Sequence, residues 1–233
     1  MIREQDFEHE HDGTRLQSVL VLPDGDGPFP GVLLIHEFTG LGESTLDHAR
    51  ALAAEGFAVL AADFYGSELR PATRDEAATA HRVFRDDRPF MRRRARACLD
   101  AIAQHSAVDE SRLGALGFSF GGGAALELAR TDAPIDCAVS IYGYLDTSHP
   151  AQAGDIRAQL LVVRVAEDPV VPEEQASDFE EEMNAAGAEW DMVLLRDVEH
   201  GFADVGNDCF DAPAASRVQD MIAGTLIETL RDR

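Results

Sequence analysis

The 233-residue chain contains no lysine: all 20 of its basic residues are arginines, set against 43 aspartates and glutamates for a formal charge of −23. A surface of that sign repels phosphate backbones and anionic lipids, which argues against nucleic acid or a membrane surface as a partner. Cysteine is scarce too. Cys98, Cys137 and Cys209 are odd in number, far apart and without a Cys-x-x-Cys pair, which speaks against a disulfide framework and fits a reduced, cytoplasmic protein. Uncharged apolar runs long enough to cross a bilayer are missing, and Met1-Ile2-Arg3-Glu4-Gln5-Asp6 is not followed by the apolar stretch of a secretion signal. The glycine run Gly121-Gly122-Gly123 lacks the lysine of a nucleotide-binding phosphate loop. His9-Glu10-His11 would place two imidazoles on one side of a strand, but in an acid-rich segment with no further ligand it reads as exposed chain rather than a metal site, and no metal or cofactor is expected.

What the chain does have is apolar punctuation. Residues 15–22, 31–35, 57–62, 113–118, 135–141, 160–165 and 192–195 read as strands, most of them short and wholly apolar. Between them lie helical patterns: one capped by Ser44 and closed by Gly56, one around 75–84, one over 89–104, one after Ser119, one opened by Pro172 with Glu173 and Glu174, and one over 213–230. Such alternation predicts an α/β fold with a mostly parallel central sheet covered by helices on both faces. The length suits one domain over residues 1–233, whose core needs no disulfide or metal, with residues 64–90 a weakly patterned, variable segment near the site. Arg88, Arg92, Arg93, Arg94 and Arg96, interleaved with Phe90, Met91, Ala95 and Leu99, read as a solvated helix face.

In a parallel sheet, sites form at the carboxyl ends of the strands. Gly117-Phe118-Ser119-Phe120-Gly121 stands where a strand turns into a helix, and this Gly-x-Ser-x-Gly spacing pushes a serine hydroxyl out at the sheet edge. A helix start has no structural reason to carry three glycines in its first turns, at a cost of about 1 kcal/mol each relative to alanine. A serine needs a base, and the base needs a group to hold its tautomer. His200 is the one histidine after both Ser119 and the next plausible acid, and Gly201 lets its loop turn back over the sheet. Asp168, fixed by Pro169 in an extended loop, is favoured as that acid over its neighbour Glu167. The backbone N–H groups of Phe120 and Phe38 are the candidate oxyanion donors.

Taken together, His36-Glu37-Phe38-Thr39-Gly40, Asp63-Phe64-Tyr65-Gly66, the Gly117–Gly122 stretch, Asp168-Pro169-Val170-Val171-Pro172 and His200-Gly201-Phe202 resemble the dienelactone hydrolase (carboxymethylenebutenolidase) family of α/β-hydrolases over nearly the whole chain. The resemblance implies the α/β-hydrolase fold and hydrolysis of small esters or lactones, here through a serine acyl-enzyme, without a cofactor, by a monomer or homodimer. Typical members use a cysteine where this chain has Ser119, and a glutamate matching Glu37 modulates that cysteine's thiolate. Beside a serine, Glu37 is expected to order the oxyanion loop or to contact substrate. Where such members hold the substrate carboxylate with an arginine four residues after the histidine, this chain has Asp204, which would repel a carboxylate. Arg70, Arg74, Arg82 and Arg85 are the possible replacements. Two alternatives stand beside this reading: a non-catalytic α/β-hydrolase-fold protein that binds a small molecule, and an acyl-peptide hydrolase.

Overall fold

A computed structural model describes residues 1–231. The hairpin β1 (Arg3–His11) and β2 (Thr14–Leu22) opens the chain, followed by β3 (Phe29–Ile35), α1 (Glu43–Ala54), β4 (Ala58–Ala62), α2 (Arg74–Arg85) and α3 (Arg88–Ala103). Then come β5 (Val108–Phe118), α4 (Phe120–Ala129), β6 (Cys137–Ile141), β7 (Gln159–Val165), α5 (Glu173–Ala186), β8 (Trp190–Leu195) and α6 (Ala212–Leu230). The strands form one sheet in the order β1-β2-β4-β3-β5-β6-β7-β8, antiparallel for the β1/β2 and β2/β4 pairs and parallel elsewhere.

The apolar strands alternate between two cores. Leu33 and Ile35 of β3, Ala115 of β5 and Leu160 and Val162 of β7 face one core, with Leu99 of α3, Leu126 of α4 and Phe179 of α5. Val32, Leu34, Leu116, Leu161 and Val163 face the other, closed by Leu52 of α1 and Ile222 and Leu226 of α6. Burial on both faces is why these strands read as unbroken apolar runs.

Three local readings need correction. β1 was hidden because its outward positions are acidic and its inward ones are Phe7, His9 and His11, so apolar alternation is weak. Its signal lies in the turn: Asp12 and Gly13 both have positive φ, 50° and 70°, the type I′ geometry that joins antiparallel strands through two residues. The first helix is capped at Gly42, without a side-chain hydrogen bond, rather than by Ser44. The arginine run of α3 is not a solvated face. Arg93 and Arg96 are exposed, but Arg88 and Arg94 are buried on the same stripe as Met91, Ala95 and Leu99.

Those arginines are buried because carboxylates and carbonyls await them. Glu127 of α4, 1% exposed, accepts from Arg92 Nε at 2.7 Å and Arg130 Nη1 at 3.3 Å, with Arg88 Nε at 3.8 Å. Arg130 also donates to Glu182 of α5 and to the Leu145 carbonyl, and Arg88 to Asp146. Arg94 donates to the Phe64 carbonyl at 2.7 Å and to His11 Nδ1 at 3.0 Å. Removing one member of a buried ion pair strands its partners' charge, at about 3–5 kcal/mol. Glu127→Gln should therefore lower the urea-unfolding free energy by about 3 kcal/mol, whereas Arg96→Ala, in the same arginine run but exposed, should shift it by less than about 1 kcal/mol. Equal effects would mean that the network adds nothing beyond a surface pair.

Candidate active site

Strands β3, β5, β6, β7 and β8 are parallel neighbours, so their carboxyl ends gather along one sheet edge. Glu37 and Phe38 follow β3, Ser119 follows β5, Tyr142 and Tyr144 follow β6, Asp168 follows β7 and His200 follows β8. Ser119 sits at φ 51°, ψ −115°, outside the regions a serine ordinarily occupies. It is held there because β5 and α4 almost touch. A Cβ placed on Gly117 would stand 2.0 Å from the Gly121 carbonyl carbon, and one on Gly121 would stand 2.1 Å from the Ile35 oxygen. The Ser119 N–H donates to the Ile141 carbonyl at 2.9 Å, tying the turn to β6.

Ser119 Oγ lies 2.8 Å from His200 Nε2, and His200 Nδ1 lies 2.8 Å from Asp168 Oδ2. An ionised carboxylate only accepts, so Nδ1 carries the imidazole proton and Nε2 is free to accept from the serine hydroxyl. The other Asp168 oxygen accepts from the N–H groups of Val170 at 2.7 Å and Val171 at 3.2 Å. Burial alone would raise the Asp168 pKa; the bond from His200 and these two N–H groups outweigh it and hold the carboxyl below its ordinary value. Glu167, the rival acid, has a left-handed φ of 57°, and it is Asp168 that meets the histidine. His200 turns back toward the sheet through Gly201, at φ 90°.

Above Ser119 opens a cavity of about 490 Å³. Phe38, His81 and Tyr144 supply aromatic surface, while Glu37, Glu199, Asp204 and Asp208 supply carboxylates against a single guanidinium, that of Arg74. The weakly patterned 64–90 segment reaches the cavity through α2, which contributes Arg74, Ala78 and His81. Of the four possible replacement arginines, Arg70 is bound to Asp63 at 2.9 Å and Arg85 to Asp146 at 3.0 Å, and Arg82 is exposed and outside the cavity. Arg74 alone lines it, with its guanidinium 5.1 Å from the centre of the Phe38 ring.

Glu37 lines the cavity and accepts from the Tyr142 hydroxyl at 3.1 Å. Burial raises its pKa, and the charge of Asp204 raises it further against the opposing pull of Tyr142 and His200. Tyr142, itself at φ 40°, packs its ring 5.0 Å from that of His200. Sequence reasoning gave no role to Tyr142, Tyr144 or His81. The two tyrosines carried a usable signal, their place just past a strand end; His81 carried none, being one histidine on an amphipathic helix. Among the described residues no group of three histidines, cysteines and acids is placed to hold a metal ion, and no helix is long and apolar enough to cross a membrane. Among the described residues Cys98, Cys137 and Cys209 form no disulfide, and burial pushes the Cys98 thiol up to about 12.

The model of the dienelactone hydrolase family matches residues 16–228. A Bradyrhizobium protein named "Probable 2-oxo-3-(5-oxofuran-2-ylidene)propanoate lactonase" is 28% identical over 214 residues, covering 87% of this chain and 85% of its own. A solved dienelactone hydrolase-like promiscuous phosphotriesterase from metagenomic libraries superposes with a TM-score of 0.91 at 31% identity, with 98% of each chain covered. The acylaminoacyl peptidase of Pyrococcus horikoshii shares only the fold, at 14% identity and a TM-score of 0.77, and this chain covers 42% of it. The α/β-hydrolase architecture, a match over nearly the full length and relatives named as lactone hydrolases lead to one conclusion: the chain belongs to the dienelactone hydrolase family.

Proposed function

We propose that the protein hydrolyses small esters or lactones through an acyl-enzyme on Ser119. The observation that carries this is the unbroken chain from Ser119 Oγ to His200 to Asp168, two contacts of 2.8 Å each, at the floor of an open cavity. Ser119 Oγ attacks the carbonyl carbon as its proton passes to His200 Nε2, and Asp168 stabilises the imidazolium through Nδ1–H. The carbonyl oxygen, now negative, lies against the N–H groups of Phe120 and Phe38; Phe120 is the first residue of α4, so its N–H has no carbonyl within the helix to bind. The C–O bond breaks, the alkoxide leaves with the proton from His200, and water repeats the sequence to release the acid and regenerate Ser119.

Cavity charge selects among substrates. Glu199, Asp204 and Asp208 against one arginine disfavour a carboxylate-bearing ligand, so neutral esters and lactones fit better than dienelactone. The lactonase name of one relative places lactones in a test panel, and the phosphotriesterase name of another adds a neutral phosphate triester. An acyl-peptide hydrolase has only the fold likeness behind it, and a non-catalytic binder would have no use for the serine–imidazole contact.

Two outcomes are expected. On p-nitrophenyl acetate, Ser119→Ala should lower kcat by about 10⁴-fold or more, and a fluorophosphonate probe should label the wild type but not this variant. Equal activity, or equal inertness with no labelling, would turn attention to the binding-protein alternative. Asp204→Arg should raise kcat/KM for dienelactone relative to the neutral ester by about tenfold, a difference of about 1.4 kcal/mol. An unchanged ratio would show that Asp204 does not read substrate charge.

A further inference from the structure

Within the His36–Gly40 motif, the histidine has no part in the chemistry just described, yet both of its ring nitrogens are engaged. His36 is 1% exposed. The Phe64 N–H donates to its Nε2 at 3.2 Å, which makes Nε2 the bare nitrogen and places the ring proton on Nδ1. Nδ1–H in turn donates to the Glu37 carbonyl at 2.6 Å, and the Gly40 N–H reaches the same oxygen at 3.1 Å. Burial lowers the His36 pKa to about 4, so the neutral ring that this arrangement needs persists at neutral pH. Tyr65 packs edge-on against His36, ring centres 4.6 Å apart, and donates its hydroxyl to the Phe38 carbonyl at 2.7 Å.

Both carbonyls that flank Phe38 are thus tied to buried donors. The Glu37 carbonyl and the Phe38 N–H belong to one peptide plane, and the one cis peptide bond among the described residues is Gly27–Pro28. In a trans peptide the N–H points opposite to the carbonyl. Fixing the Glu37 oxygen against His36 therefore turns the Phe38 N–H away from the core. We propose that His36 and Tyr65 are positioning residues, a buried clamp that aims the Phe38 N–H at the oxyanion. This rests on the serine-hydrolase reading above. It predicts a particular failure, because an N–H misaimed by a fraction of an ångström weakens transition-state stabilisation more than substrate binding.

The test compares variants on p-nitrophenyl acetate, with folding verified by near-UV circular dichroism. His36→Leu should lower kcat by about 10²-fold with KM within about twofold of wild type, as the loss of an oxyanion donor does. His36→Asn, whose side-chain amide can donate from near the place of Nδ1, should recover about tenfold of that loss. Tyr65→Phe, which keeps the ring and loses the hydroxyl, should lower kcat by about five- to tenfold. Unchanged kcat in folded His36→Leu and Tyr65→Phe, a loss carried by KM, or Asn no better than Leu would overturn the clamp. If His36→Leu does not fold, Tyr65→Phe decides. Imidazole ¹⁵N spectra of the wild type at neutral pH should show His36 protonated at Nδ1 and bare at Nε2; a proton on Nε2 overturns the clamp whether or not the protein hydrolyses anything. A wild type no more active than Ser119→Ala would instead sink the hydrolase reading, and the spectra would then decide whether the clamp exists.

Discussion

The site depends on a contact that no side chain makes. β5 and α4 approach so closely at Gly117, and α4 and the end of β3 at Gly121, that a methyl group on either glycine would overlap backbone atoms. This approach leaves Ser119 no ordinary conformation, and its φ of 51° is the result. Strain of that kind costs of order 1–3 kcal/mol and persists only where the surroundings over-determine it. Here they do: the Ser119 N–H is held by β6, Gly121 abuts the end of β3, and the whole of α4 is buried. The hydroxyl is thereby directed to the edge where the neighbouring strands deliver Asp168 and His200.

The second requirement is that the loops at this edge keep their places. The loop after β6 carries Tyr142 and Tyr144, one against His200 and the other lining the cavity. Beyond Tyr144 it is gripped from beneath through the Leu145 and Asp146 carbonyls by Arg130 and Arg88, and Arg85 stacks 3.9 Å from the Tyr144 ring centre. A guanidinium meets several acceptors in one plane, whereas an ammonium is a strongly hydrated point charge. A chain whose every cation is arginine is suited to such buried, multiply bonded anchors, and the network centred on Glu127 supports the cavity wall from the core.

The arrangement was legible in the sequence where one strong constraint acted alone. Apolar runs gave the strands because burial on both faces leaves no other pattern, and the chain order serine, acid, histidine brought together residues that the structure places within hydrogen-bond distance. Legibility failed where two constraints competed. In β1, acidic outer positions masked a strand that its Asp12-Gly13 turn would have disclosed. In α3, charge suggests exposure, although Arg88 and Arg94 lie on the helix's buried stripe; the carboxylates and carbonyls opposite, from residues as distant as Glu127, are what allow that burial. The place of His81 at the cavity depends on a juxtaposition of the same long-range kind.

Glu37 shows how a nucleophile and its surroundings constrain one another. A serine hydroxyl is neutral at rest and offers no thiolate for a neighbouring carboxyl to modulate. On the proposed mechanism, a charged Glu37 beside the oxyanion donors would oppose the negative charge that develops there. The structure works against that charge. Burial and Asp204 both raise the Glu37 pKa, favouring the neutral carboxyl, and Tyr142 holds the side chain by one oxygen. On the proposed function Asp204 then acts twice: it would set the cavity against anionic substrates, and by raising the Glu37 pKa it would favour the protonation state that least disturbs the transition state. Exchanging Asp204 for a cation would relax both, which couples substrate charge to the electrostatics of the catalytic step.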